Sequence, residues 1–396
     1  MAVVRRHGFC KSCRKTYLFR VGVGVEKNCV HTFDCVECHL PISINILSTD
    51  SGAIIQAHEN CLVSNNENEP NALVMNLHPS FAIDKGSIHN LMYFASHDYM
   101  FKIYPHMRQV SGPIQDIALQ FELPNCQNLW AIVRNLITLS STSKKEVIDR
   151  QTKQYESMRR KYYPSFAAAT VEQIITSFFH DMFYPKIDKI LIPSLTLLSE
   201  IKAKHNAEYV KFLAFYRNEI AEENRHRYIS IFSDYFRNHE QFRQLLAHAR
   251  IDEDDVDNRI VGSKRFEEIK LYYGQAFETL TTHYTTLACL NNINEGRTYD
   301  GFKSMTLGKY RKDVEKANRS NPFKDNKTLF AFCDYEDSTL RNGSHHASIW
   351  RDGEVIHYRS GGSGAERDIT YTRYIHNCNG ITIALAALFI LEMNIN

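Results

Sequence analysis

Apolar side chains recur every three or four residues between Thr170 and about Arg250, which is the spacing of amphipathic helices. The clearest series are Ile174, Ile175, Phe178, Phe179 and Tyr209, Phe212, Phe215, Ile220. Pro185 and Pro193 interrupt the pattern, because proline removes a helical hydrogen bond. The pattern therefore predicts two or three long helices in this region.

The first 64 residues follow a different pattern. Lys15–Val25 and Pro41–Leu47 are rich in β-branched and aromatic residues, which favours strands and turns. Ser64–Asn71 has no apolar side chain apart from its proline and is typical of a linker. Asn71–Leu139 is irregular and interrupted by prolines, and its first clear helix is predicted at Asn128–Leu139.

The C-terminal part begins after the acidic run Asp252–Asp255, which we interpret as a solvated loop at a domain boundary. Its periodicity predicts four helices, at Lys264–Leu290, around Lys309–Ala317, at Lys327–His346 and at Thr370–Met393. The Asp-Gly turn within Arg351–Glu354, flanked by apolar residues, predicts a short β-hairpin before the last helix.

Together these patterns predict a mainly α protein with three parts. These are a small β unit at 1–64, a mainly helical middle domain at 72–255 and a helical bundle with a short hairpin at 256–396. A length of 396 residues fits two or three domains, and 43% hydrophobic with 23% charged residues is typical of soluble globular proteins.

Two features bear on location. The most apolar run, Ile381–Leu391, is about half of a membrane span, so a buried core helix is expected and no membrane partner. Met1–Arg6 leads into no apolar stretch of the kind found in secretory signals. We therefore expect a cytoplasmic protein with reduced cysteines.

Two CxxC pairs, separated by 21 residues, stand out in the first 40 residues. Two facing turns of this kind give the all-sulfur tetrahedral shell that zinc favours. The predicted ligands of a structural Zn²⁺ are Cys10, Cys13, Cys35 and Cys38. Cys29, His31 and Cys61 are substitutes without the paired spacing, and two buried or redox-active CxxC pairs are the alternative. The unit is accordingly predicted to be a zinc ribbon, which binds nucleic acid or protein.

The second candidate site is centred on Arg341 and His346. An arginine fork can bind two phosphate oxygens, and a histidine titrates near neutral pH and can move a proton. Asp337 and Glu336, four and five residues before the arginine, are expected to orient the guanidinium, and Asn342 adds a polar group. A surface ion pair beside two histidines at a helix end is the simpler alternative.

This motif, R-(polar)-x3-to-5-H at a helix end with an upstream acid, resembles that of the HEPN (higher eukaryote and prokaryote nucleotide-binding) superfamily. The resemblance covers about residues 260–396. It implies a metal-independent endoribonuclease whose site forms at a homodimer interface. The RNA 2′-hydroxyl attacks its own phosphate and leaves a 2′,3′-cyclic phosphate. Such nucleases often act as toxins or abortive-infection effectors against phage.

Two matters stay open at this point. In an ideal helix His345, four residues after Arg341, shares its face, whereas the family register favours His346. The alternative function is an inactive HEPN scaffold, or a nucleic-acid- or protein-binding sensor with a zinc ribbon. The size of the middle domain favours a sensing role for a regulatory protein or a phage-derived trigger.

Overall fold

The computed structural model describes residues 3–24, 27–49, 52–64, 69, 71–102, 123–140, 144–168, 170–345, 348–362 and 364–395. Within these ranges the protein is mainly α-helical, with a smaller β unit at the N-terminus, as the sequence predicts.

The N-terminal unit consists of two antiparallel hairpins with additional strands. Its strands are β1 (Val3–Cys10), β2 (Thr16–Gly22), β3 (Asn28–Asp34), β4 (Pro41–Thr49), β5 (Gly52–Ala57), β6 (Cys61–Val63) and β7 (Leu73–Leu77). One sheet has the order β6-β1-β2-β7 and the other the order β3-β4-β5. Strand β7 pairs in parallel with β2, so the β unit extends beyond residue 64. Most of the predicted linker, Ser64–Asn71, lies outside the described residues.

The middle of the chain is helical. The helices are α1 (Ala95–Lys102), α2 (Cys126–Leu139), α3 (Lys145–Arg160), α4 (Val171–Phe183), α5 (Lys186–Lys204), α6 (Asn206–Phe215), α7 (Ala221–Arg237) and α8 (His239–Arg250). Thr170 begins α4 with a capping box, because its side chain accepts from the Gln173 amide and Gln173 reaches back. Pro185 precedes α5, but α5 continues through Pro193, where the sequence predicted an interruption. Buried residues before and after that proline, including Leu191 and Leu198, hold the helix against the core.

The C-terminal part completes the helical body. A short strand pair, β8 (Ile83–Asp84) with β9 (Arg259–Ile260), precedes it. Its elements are α9 (Phe266–Ile269), α10 (Tyr272–Asn294), α11 (Leu307–Asp313), α12 (Lys327–Phe330), α13 (Ser338–His345), β10 (Ile349–Asp352), β11 (Val355–Arg359), β12 (Glu366–Thr370) and α14 (Tyr371–Met393). The predicted hairpin is present as β10 and β11, with Gly353 at φ 55° in its turn, and β12 adds a third strand.

The predicted helix Lys327–His346 is instead divided into α12, a 3-10 turn at Ala331–Cys333 and α13. Asp337 explains where α13 begins, because its carboxylate accepts hydrogen bonds from the backbone amides of Thr339 and Leu340 at 2.8 and 2.9 Å. The hydroxyl of Tyr273 on α10 also accepts from the Asp337 amide at 2.8 Å. These polar contacts replace helical hydrogen bonds at the break.

Helix α14 lies at the centre of the body and packs against α5, α8 and α10. It is long and apolar enough to cross a membrane, but 94% of its most apolar window is buried inside the protein. It is therefore the buried core helix that the sequence predicts.

One hydrophobic cluster includes residues from both sides of the acidic run Asp252–Asp255. Tyr228 on α7 and Phe389 on α14, for example, have ring centroids 4.7 Å apart. Asp252 pairs with Lys186 at 2.6 Å, and Asp254 pairs with Arg373. The acidic run is thus ion-paired to helices on both sides, and the core does not divide there. The domain limits 1–64, 72–255 and 256–396 stay predictions.

The N-terminal unit has a largely separate core and is joined to the helical body by specific contacts. The Thr32 amide donates to the Gly262 carbonyl at 2.7 Å. Arg351 on β10 donates from both terminal nitrogens to the carboxylate of Asp34, at 2.8 and 3.3 Å. A two-bond pair of this kind fixes the orientation of the unit against the C-terminal hairpin.

Candidate functional site

The four predicted cysteine ligands converge at one end of the N-terminal unit. Their sulfur atoms all lie within 4.8 Å of one another. Cys10 and Cys38 are 3.8 Å apart, and Cys13 and Cys35 are 3.5 Å apart, measured between sulfurs. Sulfurs at about 2.3 Å from a tetrahedral zinc ion would be about 3.8 Å apart. The spacing therefore fits a metal ion bound by four thiolates.

The two CxxC turns have the same local geometry. In each turn, the fourth residue after the first cysteine has a positive φ, 64° at Arg14 and 58° at His39. The amides of these residues donate to the carbonyls of Cys10 and Cys35, at 3.0 and 2.9 Å. Each turn follows the first strand of a hairpin, so the two hairpins present two sulfurs each to a common point.

Neighbouring polar groups support these sulfurs. The hydroxyl of Tyr17 lies 3.1 Å from the Cys35 sulfur and accepts from the Val36 amide at 3.0 Å. The side-chain amide of Asn60 donates to the Cys10 sulfur at 3.6 Å. Such contacts hold the ligands in place and stabilise their negative charge.

The three substitute ligands lie elsewhere. Cys61 is buried beside Cys10 across the strand pairing, with its sulfur directed to the Leu62 carbonyl. Cys29 contacts Arg243 on α8, and His31 is buried with its pKa lowered to about 3 by burial. Among the described residues, the four-cysteine group is the one arrangement of this kind that could hold a metal ion.

Arg341 lies on α13 and is partly buried, with 23% of its side chain exposed. Its guanidinium is held on two sides. One terminal nitrogen donates to the Asn342 side-chain oxygen at 2.6 Å, and the other forms an ion pair with Glu278 on α10. The arginine is therefore held at a fixed position on the α10–α13 face.

The identity of this acid corrects the sequence-based expectation. We expected Asp337 or Glu336 to orient Arg341, but the carboxylate that contacts it belongs to Glu278, 63 residues earlier. Asp337 is occupied with the backbone amides that begin α13. Glu336 is largely buried, and burial raises its pKa. Both acids line a different cavity, together with Lys186 and Arg373.

His345 is the last residue of α13, four residues after Arg341, and is exposed. It lines a surface cavity of about 400 Å³ together with Glu278 and with Arg227 on α7. The predicted catalytic His346 lies outside the described residues. The arginine's ion-pair partner and one of the two candidate histidines thus share one cavity.

Lys316 joins this cavity from the segment after α11. Its ammonium lies 3.8 Å from the Glu278 carboxylate and donates to the Thr282 hydroxyl. Its pKa is lowered to about 8, mainly by burial and also by the neighbouring cations Arg319 and Arg227, against the opposite effect of Glu278. Glu278 therefore faces two cations, Arg341 and Lys316.

Sequence reasoning did not identify Glu278, Thr282, Lys316 and Arg227 as site residues. The i, i+4 spacing of Glu278 and Thr282 on a long helix was the one available signal.

No family model, no curated protein and no solved structure matches this chain. The resemblance to the HEPN superfamily therefore rests on the sequence motif within residues 336–346, and membership in that superfamily is a proposal.

Proposed function

We propose that the protein is a metal-independent endoribonuclease of the HEPN type, with Arg341 and His346 as its catalytic pair. One observation carries the proposal: Arg341 is held between Asn342 and Glu278, and Glu278 lines a cavity together with His345. A positioned cation and a titratable histidine are what phosphodiester cleavage requires.

In the proposed reaction the RNA 2′-hydroxyl is the nucleophile. Its oxygen forms a bond to the adjacent phosphorus, and the bond from phosphorus to the 5′-oxygen of the next nucleotide breaks. A histidine accepts the proton of the 2′-hydroxyl or donates one to the leaving oxygen, and Arg341 stabilises the charge that develops on the phosphate. The products are a 2′,3′-cyclic phosphate and a 5′-hydroxyl.

The reaction needs an acid and a base, which suggests a contribution from a second copy of the chain. We propose a homodimer in which residues 260–396 of two chains face each other and each supplies one Arg–His pair. A two-fold arrangement is the commonest closed assembly. Light scattering should give the mass of two chains at micromolar concentration. Monomers with full ribonuclease activity would contradict the dimer.

We propose that the four-cysteine centre binds zinc and has a structural role, because its four ligands leave no open coordination position. From the resemblance, we also place the protein in cytoplasmic defence against phage, as a toxin or abortive-infection effector. In this proposal the middle helices respond to a regulatory protein or a phage-derived trigger.

A second candidate function has one observation in its favour. Glu278 neutralises part of the charge of Arg341, as expected if the face has only a binding role. The protein would then be an inactive HEPN scaffold, or a nucleic-acid- or protein-binding sensor. The decisive difference is whether RNA bonds are broken.

The test uses purified full-length protein with labelled tRNA and mRNA, in the presence of EDTA. We expect cleavage, products with cyclic phosphate ends and no cleavage of DNA of the same sequence. Intact RNA under all conditions, or cleavage that requires Mg²⁺, would put the scaffold function first.

A further inference from the structure

The surface of α7, α10 and α13 around Arg341, with the cavity that Glu278 and His345 line, is called the Arg341 face. A second cavity, of about 320 Å³, lies beside it. Helices α7, α10 and α11 and the segment after α11 surround it. Its basic lining residues are Arg227, Arg311, Lys312, Lys316 and Arg319, and its one acidic lining residue is Glu223. The acid is already paired with Arg227 at 2.5 Å. The cavity therefore contains a large excess of positive charge.

Three of these cations have no acidic partner. Within the described part of the chain, Arg311, Lys312 and Arg319 form no ion pair. Arg319 is the most notable, because only 6% of it is exposed. Its hydrogen bonds go to the backbone carbonyls of Arg311 and Val314, at 2.7 and 3.3 Å, so that no carboxylate contacts it and Glu278 acts on it only from a longer distance.

A buried guanidinium without a carboxylate is costly unless an anion accompanies it. Several cations converging on one cavity also repel one another, in agreement with the lowered pKa of Lys316. An anion with several oxygens would relieve both costs, and phosphate is the biological anion best suited to arginine and lysine together. The hydroxyls of Thr282 and Thr285 on the same wall add polar contacts.

The basic cavity borders the cavity of the Arg341 face. Arg227, Thr282 and Lys316 line both this cavity and the one that contains Glu278 and His345. The two cavities therefore share a wall of basic and polar side chains. A volume of about 320 Å³ also suits a small phosphate compound such as a nucleotide.

We propose that the cavity formed by Arg227, Arg311, Lys312, Lys316 and Arg319 is a phosphate-binding site that holds the RNA backbone next to the bond that is cut. The assignment to RNA rests on the proposed ribonuclease function, whereas phosphate binding does not. The alternative source of the same chemistry is a free nucleotide. The two sources can be separated by experiment.

The test measures binding without cleavage, using full-length protein and a 2′-O-methyl RNA, which lacks the nucleophile. The variant carries Arg311→Gln and Lys312→Gln. The control is Lys309→Gln, which removes an exposed cation from the same helix but outside the cavity. ATP is the probe for a free nucleotide, and thermal melting checks that all three proteins are folded.

If the RNA backbone occupies the site, the double variant binds the 2′-O-methyl RNA at least about fivefold more weakly, and its salt dependence falls by about two phosphate contacts. The control variant binds like the wild type. Binding of ATP that the double variant loses, with RNA binding unchanged, would support the phosphate site with a free nucleotide as its ligand.

The proposal is overturned if the double variant binds both probes like the wild type, or if Lys309→Gln weakens binding equally. Failure of the ribonuclease function gives a different result. In that case the double variant loses RNA binding as expected, while wild-type protein leaves natural RNA uncut.

Discussion

The four-cysteine centre and the Arg341 face differ in how their charges are balanced. The cysteine sulfurs point inward, are supported by Tyr17 and Asn60, and fit a metal ion that completes the group. The Arg341 face is open, and its one contacting carboxylate, Glu278, is shared between two cations. A closed and fully coordinated centre stabilises a fold, whereas an open site with excess charge binds a ligand.

The same difference appears in how each site is attached to the rest of the molecule. The cysteine turns belong to the small β unit, whose core is largely separate. The Arg341 face combines α7, α10 and α13 with the segment after α11, all parts of the large helical core. Changes in the cysteines should therefore affect one unit, and changes near Arg341 should affect binding and reaction rate.

The largest expected effect is that of Cys35→Ser. Loss of one thiolate opens the coordination shell, and the energy of metal binding is part of the folding energy of the small unit. Elemental analysis should show about one zinc per chain in the wild type and almost none in the variant. Cys61→Ser, a buried cysteine of the same unit outside the cluster, should keep its metal. Full metal content in Cys35→Ser would disprove the assignment.

The next effect concerns the catalytic pair. Arg341→Ala and His346→Ala should each slow RNA cleavage by at least about a hundredfold, because both groups act mainly in the transition state. His345→Ala should slow RNA cleavage less than either of these variants. Single-turnover rates measure the cleavage step, and melting curves check that each variant is folded. Rates like the wild type in the first two variants would make the motif a structural coincidence.

A smaller effect distinguishes Asp337, the partner of Arg341 expected from the sequence, from Glu278, the partner that the structure shows. Glu278→Gln should slow cleavage by about tenfold, because it loosens the guanidinium, while RNA binding tightens as a negative charge is lost. Asp337→Asn should change both by less than about twofold, because an asparagine can still accept from the amides that begin α13. Cleavage rate constants and RNA dissociation constants are measured separately for both variants. A larger effect of Asp337→Asn than of Glu278→Gln would refute the assignment of Glu278 as the partner of Arg341.

The smallest effect is a pH dependence. Lys316 faces Glu278 and the cations Arg227, Arg319 and Arg341, and its pKa is lowered to about 8. It is charged below that value and becomes neutral above it, so binding of 2′-O-methyl RNA should weaken by about threefold from pH 7 to pH 9. Lys316→Gln should remove this change. An equal change in both proteins would assign it to other groups.

The sequence predicted the four-cysteine cluster well, because each pair of cysteines is local. A CxxC turn needs only a few neighbouring residues. Because a structural zinc ion takes four ligands, one CxxC pair implies a second one elsewhere in the chain. The start and length of α14 and the Asp-Gly hairpin were predicted for the same reason. In each case the signal is contained in one short segment.

The prediction was poorer where the packing of distant helices decides the structure. The partner of Arg341 is 63 residues away, and its position depends on how α10 lies against α13. Asp337 looked like the partner only as long as Lys327–His346 was treated as one helix. Of the five cations that line the proposed phosphate cavity, four lie within residues 311–319, whereas Arg227 comes from α7 and no local pattern joins it to them.

The most direct test of the ribonuclease claim concerns the nucleophile. A preferred cleavage position is first mapped on a short RNA, and a single 2′-deoxy nucleotide is then placed immediately before that bond. We predict that the modified RNA binds as before but is not cut at that bond, while the unmodified RNA is cut there in the presence of EDTA. Continued cleavage at the modified bond would show that the 2′-hydroxyl is not the nucleophile and would contradict the account.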